Sequence, residues 1–360
     1  MNYAFAAASV ALLSAALPLA AQSPDPALLR PYKPETKIVG AVRVYGSELK
    51  GQVEAWEKGF VKFHPDAKFS NNFTSSSEGA IAGLYVLGVD IAPAGDDAKI
   101  TDQMPFYNIK TYMPTEISVA TGGYEKRGTL WAFQIVVNKD NPLKQLTMDQ
   151  LERIFGSERT GGWEGIYYTA KYARPASDFI RTWSQLGVKG ECANKEIQTY
   201  GYIAPGFEIA MERKLFHWSD KWNANFKEYV EAKEIVPGPD GDKVASERMF
   251  EALSKDKCGI GWGPILHSKD YPNLKQIDLA EKEGGPYVPL TEANVQNRSY
   301  PLKRDAYVYI DREPGKPMDF RAKEFLRYVL SREGQKDVLD FGVYYPMPRG
   351  LVDEQLKKVN

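Results

Sequence analysis

Hydroxyl residues placed before helices, with an arginine and a carboxylate nearby, are the side chains of this sequence whose types and spacing can do chemistry, and that chemistry is the holding of an oxyanion. A helix N-terminus carries unpaired backbone N–H groups and about half a positive charge, so a hydroxyl there completes an anion seat. Ser47 precedes a helical stripe of Leu49, Val53, Trp56, Phe60 and Phe63; Ser75, Ser76 and Ser77 precede a short helix from Glu78; Ser177 precedes DFIRTWSQ. Taken singly, each is an ordinary N-cap. Arg174, three residues before Ser177, can offer a bidentate fork, and Asp96 can accept a proton from an anion that still carries one, which selects phosphate over sulfate. Glu48 and Glu78 open two of the same turns. A carboxylate within about 5 Å of a dianion costs roughly 3 kcal/mol per unit charge at an effective dielectric near 20, so they point away if phosphate is held there.

Other chemistries find little support. Three histidines (His64, His217, His267) and two cysteines (Cys192, Cys258) are scattered without metal-ligand spacing, and Asp96-Asp97 and Asp240/Asp242 lack the graded oxygen spacing of a calcium loop. No histidine stands near Ser47, Ser76 or Ser177 in sequence, so no nucleophilic triad is expected, and neither is a cofactor or metal. With 46 basic and 47 acidic residues the net charge is −1, which provides no field for nucleic acid or an anionic membrane. One rival remains open. Aromatics make up 12% of the chain, and FHWSDKWNANF (216–226) with TGGWEGIYY (160–168) gathers rings that can pack a core or stack on an organic solute. A cleft lined by N–H and hydroxyl donors and a cleft lined by rings are the two alternatives.

The elements that must position these residues alternate between strands and helices. KIVGAVRVYG reads as a strand entering the Ser47 turn, VDIAPA as a strand entering Gly95-Asp96, and TEISVATGG and TLWAFQIVVN as further strands. Thr147 and Gln150 have capping-box spacing and open a helix over MDQLERIFG. ARPASDFIRTWSQLG reads as a loop into a helix, KVASERMFEALSKDKCGIGWG as a helix into a strand, AYVYID as a strand, and residues from about Met318 to Leu330 as a helix. This alternation over 360 residues predicts an α/β protein of two domains with mostly parallel sheets.

Residues 4–21, AFAAASVALLSAALPLAA, form an uncharged apolar run ending in small residues, which predicts a secretory signal cut near Ala21; Pro18 and the alanine content weigh against an uncleaved anchor. Outside the cytoplasm Cys192 and Cys258 can pair, or lie buried as separate thiols.

In GSELKG, SSSEGAIAGL, VDIAPAGDDAKITD, NPLKQLTMDQLERIFGSERTGGWEGI, CGIGWG, RSYPLKRDAYVYI and FRAKEFLRYVLSREGQKDVLDFGVYYPMP, taken in order, the chain resembles the periplasmic phosphate-binding proteins of ABC transporters over nearly its whole mature length. The resemblance implies a two-lobed, type II periplasmic-binding-protein-like fold with two crossover strands. Its parts are a signal peptide at 1–21, a linker at 22–35, lobe one at 36–131 plus 305–360, and lobe two at 132–304. It implies capture of inorganic phosphate in the interlobe cleft and delivery to an inner-membrane ABC permease by a periplasmic monomer that is not an enzyme; the alternative is a binding or sensor protein for a small organic ligand in the same cleft. Ser47, Ser76, Ser77, Asp96, Arg174 and Ser177 are then the ligand-binding residues, with Asp97 possible in place of Asp96. At 174–178 the chain reads RPASD, with Asp178 where the family has a glycine, and a slip in register would hand the role of Arg174 to Arg181.

Overall fold

The computed structural model describes residues 24–47, 49–74, 79–95, 97–126, 131–203, 207–230, 237–238, 241–242 and 244–360. The signal sequence, Ser76, Ser77 and Asp96 lie outside the described residues, and of Ser47 only the backbone is described.

Lobe one begins with strand β1 (Gly40–Ser47), helix α1 (Lys50–Phe60), β2 (Ala67–Thr74), a one-turn α2 (Ala80–Ala82), β3 (Ala92–Ala94), α3 (Ile100–Lys110) and β4 (Thr115–Thr121). The chain then crosses into lobe two with β5 (Phe133–Asn138), β6 (Gln145–Thr147), α4 (Met148–Phe155), the hairpin β7 (Gly162–Glu164) and β8 (Tyr167–Thr169), β9 (Gln198–Ile203), α5 (Phe207–Leu215) and β10 (Lys227–Val230). The two-residue strands β11 (Pro237–Gly238) and β12 (Gly241–Asp242), α6 (Ala245–Ser254), β13 (Gly259–Pro264), β14 (Leu274–Gln276), β15 (Asp278–Ala280) and α7 (Glu292–Gln296) complete it. The return passes through β16 (Asp305–Ile310) to α8 (Phe320–Val329), α9 (Arg332–Phe341) and α10 (Arg349–Val359).

The strand order repeats between lobes. In lobe two the sheet runs β10-β9-β13-β5-β14. In lobe one β2 pairs with β1, β1 touches the residue before β3 through the parallel bridge Val44–Ile91, and β3-β16-β4 follow. In each lobe a βα unit supplies parallel neighbours, and the strand arriving from the other lobe, β16 or β5, inserts antiparallel. The sheets are therefore mixed rather than mostly parallel. Antiparallel pairing arises where a crossover strand enters its sheet from the opposite lobe.

Buried apolar residues divide accordingly. One cluster gathers side chains between Ala132 and Leu302, while another joins Leu29–Ala120 to Ala306–Val359. The stripe on α1 buries Leu49, Val53, Trp56 and Phe60 completely or nearly so, and Thr147 forms the capping box with Gln150 through bonds of 3.1 and 2.9 Å. The two crossovers lie side by side, with Phe133 N–H donating to Leu302 O (3.1 Å) and Gly122 N–H to Arg304 O (2.9 Å). A Cys192–Cys258 disulfide ties the segment before β9 to the start of β13. Among the described residues no helix is long and apolar enough to cross a membrane.

The segment 173–187 departs from its expected helix. It makes only short 3-10 turns at Ala176–Asp178 and Trp183–Leu186. The reason is its service to α4: Ile180 N–H bonds the carbonyl of Arg153, and the Arg181 guanidinium takes the carbonyls of Arg153, Ile154 and Gly156 (3.2, 3.4 and 2.8 Å) that the helix end leaves without partners.

Candidate functional site

Parallel pairing brings the lobe-one turns together. Ser47 stands opposite Thr74 at the C-terminal ends of β1 and β2, and β3 runs parallel to β1 and ends beside them at Ala94. Strand β1, which ends in Ser47, and strands β2 and β3, which precede Ser76, Ser77 and Asp96 in sequence, thus end side by side. Gly46 makes this possible, since a Cβ there would collide with the Pro93 carbonyl and approach its ring to 2.8 Å.

Across the crevice the facing element is α5. It follows β9, the second strand of its sheet and the one that corresponds in sheet order to β1, so the lobe-two counterpart of the Ser47 position in sequence is the stretch 204–206 before Phe207. In sequence that stretch is Ala-Pro-Gly and brings no hydroxyl. The ring of Phe207 stacks on Trp131 (5.8 Å), and the buried Arg304 guanidinium lies over both Phe207 and Phe133. The charged arm of α5 is Arg213. Its Nη1 donates to buried Asp97 of lobe one, and it holds Glu116 of β4 through Nη2 to Oε1 (3.0 Å) and Nη1 to Oε2 (3.2 Å). Glu116 also accepts from the Tyr309 hydroxyl (2.8 Å), which itself accepts from Ala98 N–H (3.0 Å). Burial opposes the charge on Arg213, but Asp97, Tyr307 and Glu116 outweigh it and raise its pKa far above the usual value. An arginine held by a carboxylate pair across two bodies is a latch, and Asp97 is a proton acceptor beside a guanidinium.

Behind Arg213 three cationic side chains cluster around one carboxylate. Lys214 and Lys303 point at backbone carbonyls of Pro301 (3.3 Å) and Tyr300 (3.5 Å), while Arg298 forks onto Asp305 (2.5 and 3.0 Å). Burial lowers the Lys214 ammonium; burial, then repulsion from Lys214 and Arg298, brings Lys303 down to about 8. Positive groups that depress one another's pKa in this way gain from an anion between them.

Arg174 and Ser177 are elsewhere. Arg174 bonds Asp149 (2.8 Å) and Glu152 (3.0 and 3.1 Å), both on α4 of its own lobe, and Ser177 is exposed with Asp178 as its nearest partner (3.4 Å). Neither has a hydrogen bond or ion pair to a described residue of lobe one. Arg181, the alternative under a shifted register, caps α4 as described. Strand order points to α5, and the contacts to Asp97 and Glu116 then single out Arg213; neither can be read from local spacing. No group of histidine, cysteine and carboxylates among the described residues has the geometry to hold a metal.

Relatives extend the comparison to the whole chain. The phosphate-binding protein PstS of Pseudomonas aeruginosa is 27% identical over 358 residues, covering 99% of this chain and 96% of that protein. A phosphate-binding protein PstS of Staphylococcus epidermidis is 24% identical over 307 residues, covering 81% and 78%. Among solved structures, PstS from Borrelia burgdorferi superposes with a TM-score of 0.51 at 14% identity, over 85% of this chain and 98% of that one, and shares the two-lobed type II fold of periplasmic binding proteins. No known family profile matches the chain.

Proposed function

We propose that this chain is an extracytoplasmic solute-binding protein that captures inorganic phosphate, or a closely similar oxyanion, between its lobes and presents it to an ABC importer. The observation that carries this reading is Arg213, which reaches from lobe two onto Asp97, shortly after the end of β3, and onto Glu116 at the start of β4 in lobe one. The whole-length similarity to phosphate-binding proteins supports the choice of ligand. A protonated phosphate would take the guanidinium as donor and give its own proton to Asp97, drawing further donors from the turns of Ser47, Ser76, Ser77 and Asp96. Lys214, Lys303 and Arg304 would offset the second negative charge. Arg174 and Ser177 are left out of the site because their described partners lie within lobe two.

Binding favours the closed arrangement because only there do both lobes reach the anion, and the closed shape is what a permease recognises. The protein then needs no cofactor and performs no reaction. It acts as an exported monomer, its leader removed near Ala21. Equilibrium dialysis with radiolabelled phosphate tests this: saturable retention at micromolar ligand that excess sulfate does not displace supports the reading. Absence of retention at millimolar phosphate overturns it.

A further inference from the structure

A cavity of about 570 Å³ opens between the lobes immediately beside the Arg213 centre. Its lobe-one wall is the first turn of α3, Lys99 to Met104, and its lobe-two walls are Trp163 and Tyr168 of the β7–β8 hairpin and Trp218 of the loop after α5. The volume is many times that of an orthophosphate ion and falls in the range of pockets for small organic molecules. Three features join it to the anion centre. Arg213 lies over the Trp218 ring (5.5 Å to the centroid), Glu212 lines the cavity next to Arg213 on α5, and Lys99 lines it two residues beyond Asp97.

The ring wall is built rather than incidental. His217 and Trp218 both adopt positive φ (52° and 64°), a conformation that costs a side-chain-bearing residue free energy unless its surroundings impose it. Here Tyr172 stacks on the His217 ring at 3.8 Å, and Trp163 N–H takes the His217 carbonyl at 2.9 Å, which holds Trp218 at the cavity. Trp163 and Tyr168 meet edge to face at 5.4 Å. Arg159, buried in the back wall, donates through Nη2 to Glu152 and through Nε to Tyr172 O (2.8 Å), yet its Nη1 has no acceptor among the described residues. Tyr107 of α3 and Tyr167 of the hairpin touch hydroxyl to hydroxyl at 3.1 Å, a further contact between the two elements that wall the cavity.

Resting on the phosphate reading above, we infer that the cleft also takes a phosphate monoester bearing a ring, its phosphoryl group at Arg213 and its ring between Trp163, Tyr168 and Trp218. Inorganic phosphate fills only the first part of this site. A sugar or aromatic ring stacked on indole would add contacts that orthophosphate lacks.

Calorimetry on the full chain with inorganic phosphate, phenyl phosphate, a hexose phosphate, phenol and the free hexose tests the inference. At least one of the two esters is expected to bind at least about tenfold tighter than inorganic phosphate. Trp163→Ala and the exposed Tyr168→Ala should each remove most of that advantage while leaving inorganic phosphate within about twofold. Esters binding no tighter than phosphate overturn this inference and leave the phosphate reading standing. Phenol or hexose binding as tightly as its ester overturns it as well, since the phosphoryl group would then be idle. Failure of phosphate and both esters together overturns both readings.

Discussion

Arg213 faces two carboxylates, so the side chain that would greet an anion is already engaged, and binding is an exchange of partners rather than the filling of a vacant donor. Breaking a buried ion pair without replacement costs about 3–5 kcal/mol, so an incoming oxyanion must accept the same hydrogen bonds. Lys303 makes the exchange sensitive to pH. Its pKa near 8 lies below that of an ordinary lysine because burial, Lys214 and Arg298 disfavour its charge. An anion favours the charged form, so phosphate affinity should hold below pH 8, weaken as pH rises through it, and lose this inflection in Lys303→Met; calorimetry between pH 7 and 9 checks this.

Glu212 shows the opposite kind of strain. Burial pushes its carboxyl up to about 7, although Trp222 Nε1–H donates to it at 2.9 Å. For an acid whose folded pKa is raised, the unfolded chain ionises first, so stability falls as pH climbs from the unfolded value toward 7 and then levels off. The loss is at most about 3 kcal/mol. Thermal melts of Glu212→Gln should show a flatter profile than wild type over that window, with Trp222 keeping an oxygen acceptor.

At the level of elements, much was legible because periodicity and capping are local. The stripe of α1, the Thr147–Gln150 box that opens α4, and the strands at β1, β5 and β16 all follow from patterns within a dozen residues. The segment after Arg174 was not legible, because its backbone and Arg181 are committed to the end of α4, a partner more than twenty residues earlier. The pairing of Cys192 with Cys258 was open for the same reason. Gly46 is where element geometry bears most on the site. An added methyl there meets Pro93, so Gly46→Ala should destabilise the protein by about 1–3 kcal/mol, displace the end of β1, and weaken phosphate binding by more than a surface mutation with the same loss of melting temperature. Denaturant melts beside binding isotherms separate the two effects.

At the scale of the whole molecule, the lobe-one candidates and Arg213 differ in how far local sequence points to them. The turns of Ser47, Ser76 and Asp96 follow consecutive parallel strands, and any α/β reading brings their ends together. The lobe-two contribution proposed above comes instead from the far end of α5, where Arg213 reaches Asp97 and Glu116, and no hydroxyl turn marks it. Sheet order points to α5: β9 in lobe two occupies the place of β1 in lobe one, and each sheet admits its crossover strand antiparallel. Contacts between the lobes among the described residues include Arg213 with Asp97 and Glu116, Lys99 with Glu208 at 3.9 Å, and Tyr107 with Tyr167.

The most direct test is calorimetric titration of phosphate into the wild-type chain and Arg213→Met at neutral pH, with circular dichroism confirming that both are folded. The account predicts micromolar or tighter binding to the wild type and a loss of at least about a hundredfold, the worth of a charge-assisted contact, in the variant. Equal affinity in the two proteins would contradict it, since the arginine that reaches from lobe two onto Asp97 and Glu116 would then have no part in holding the anion.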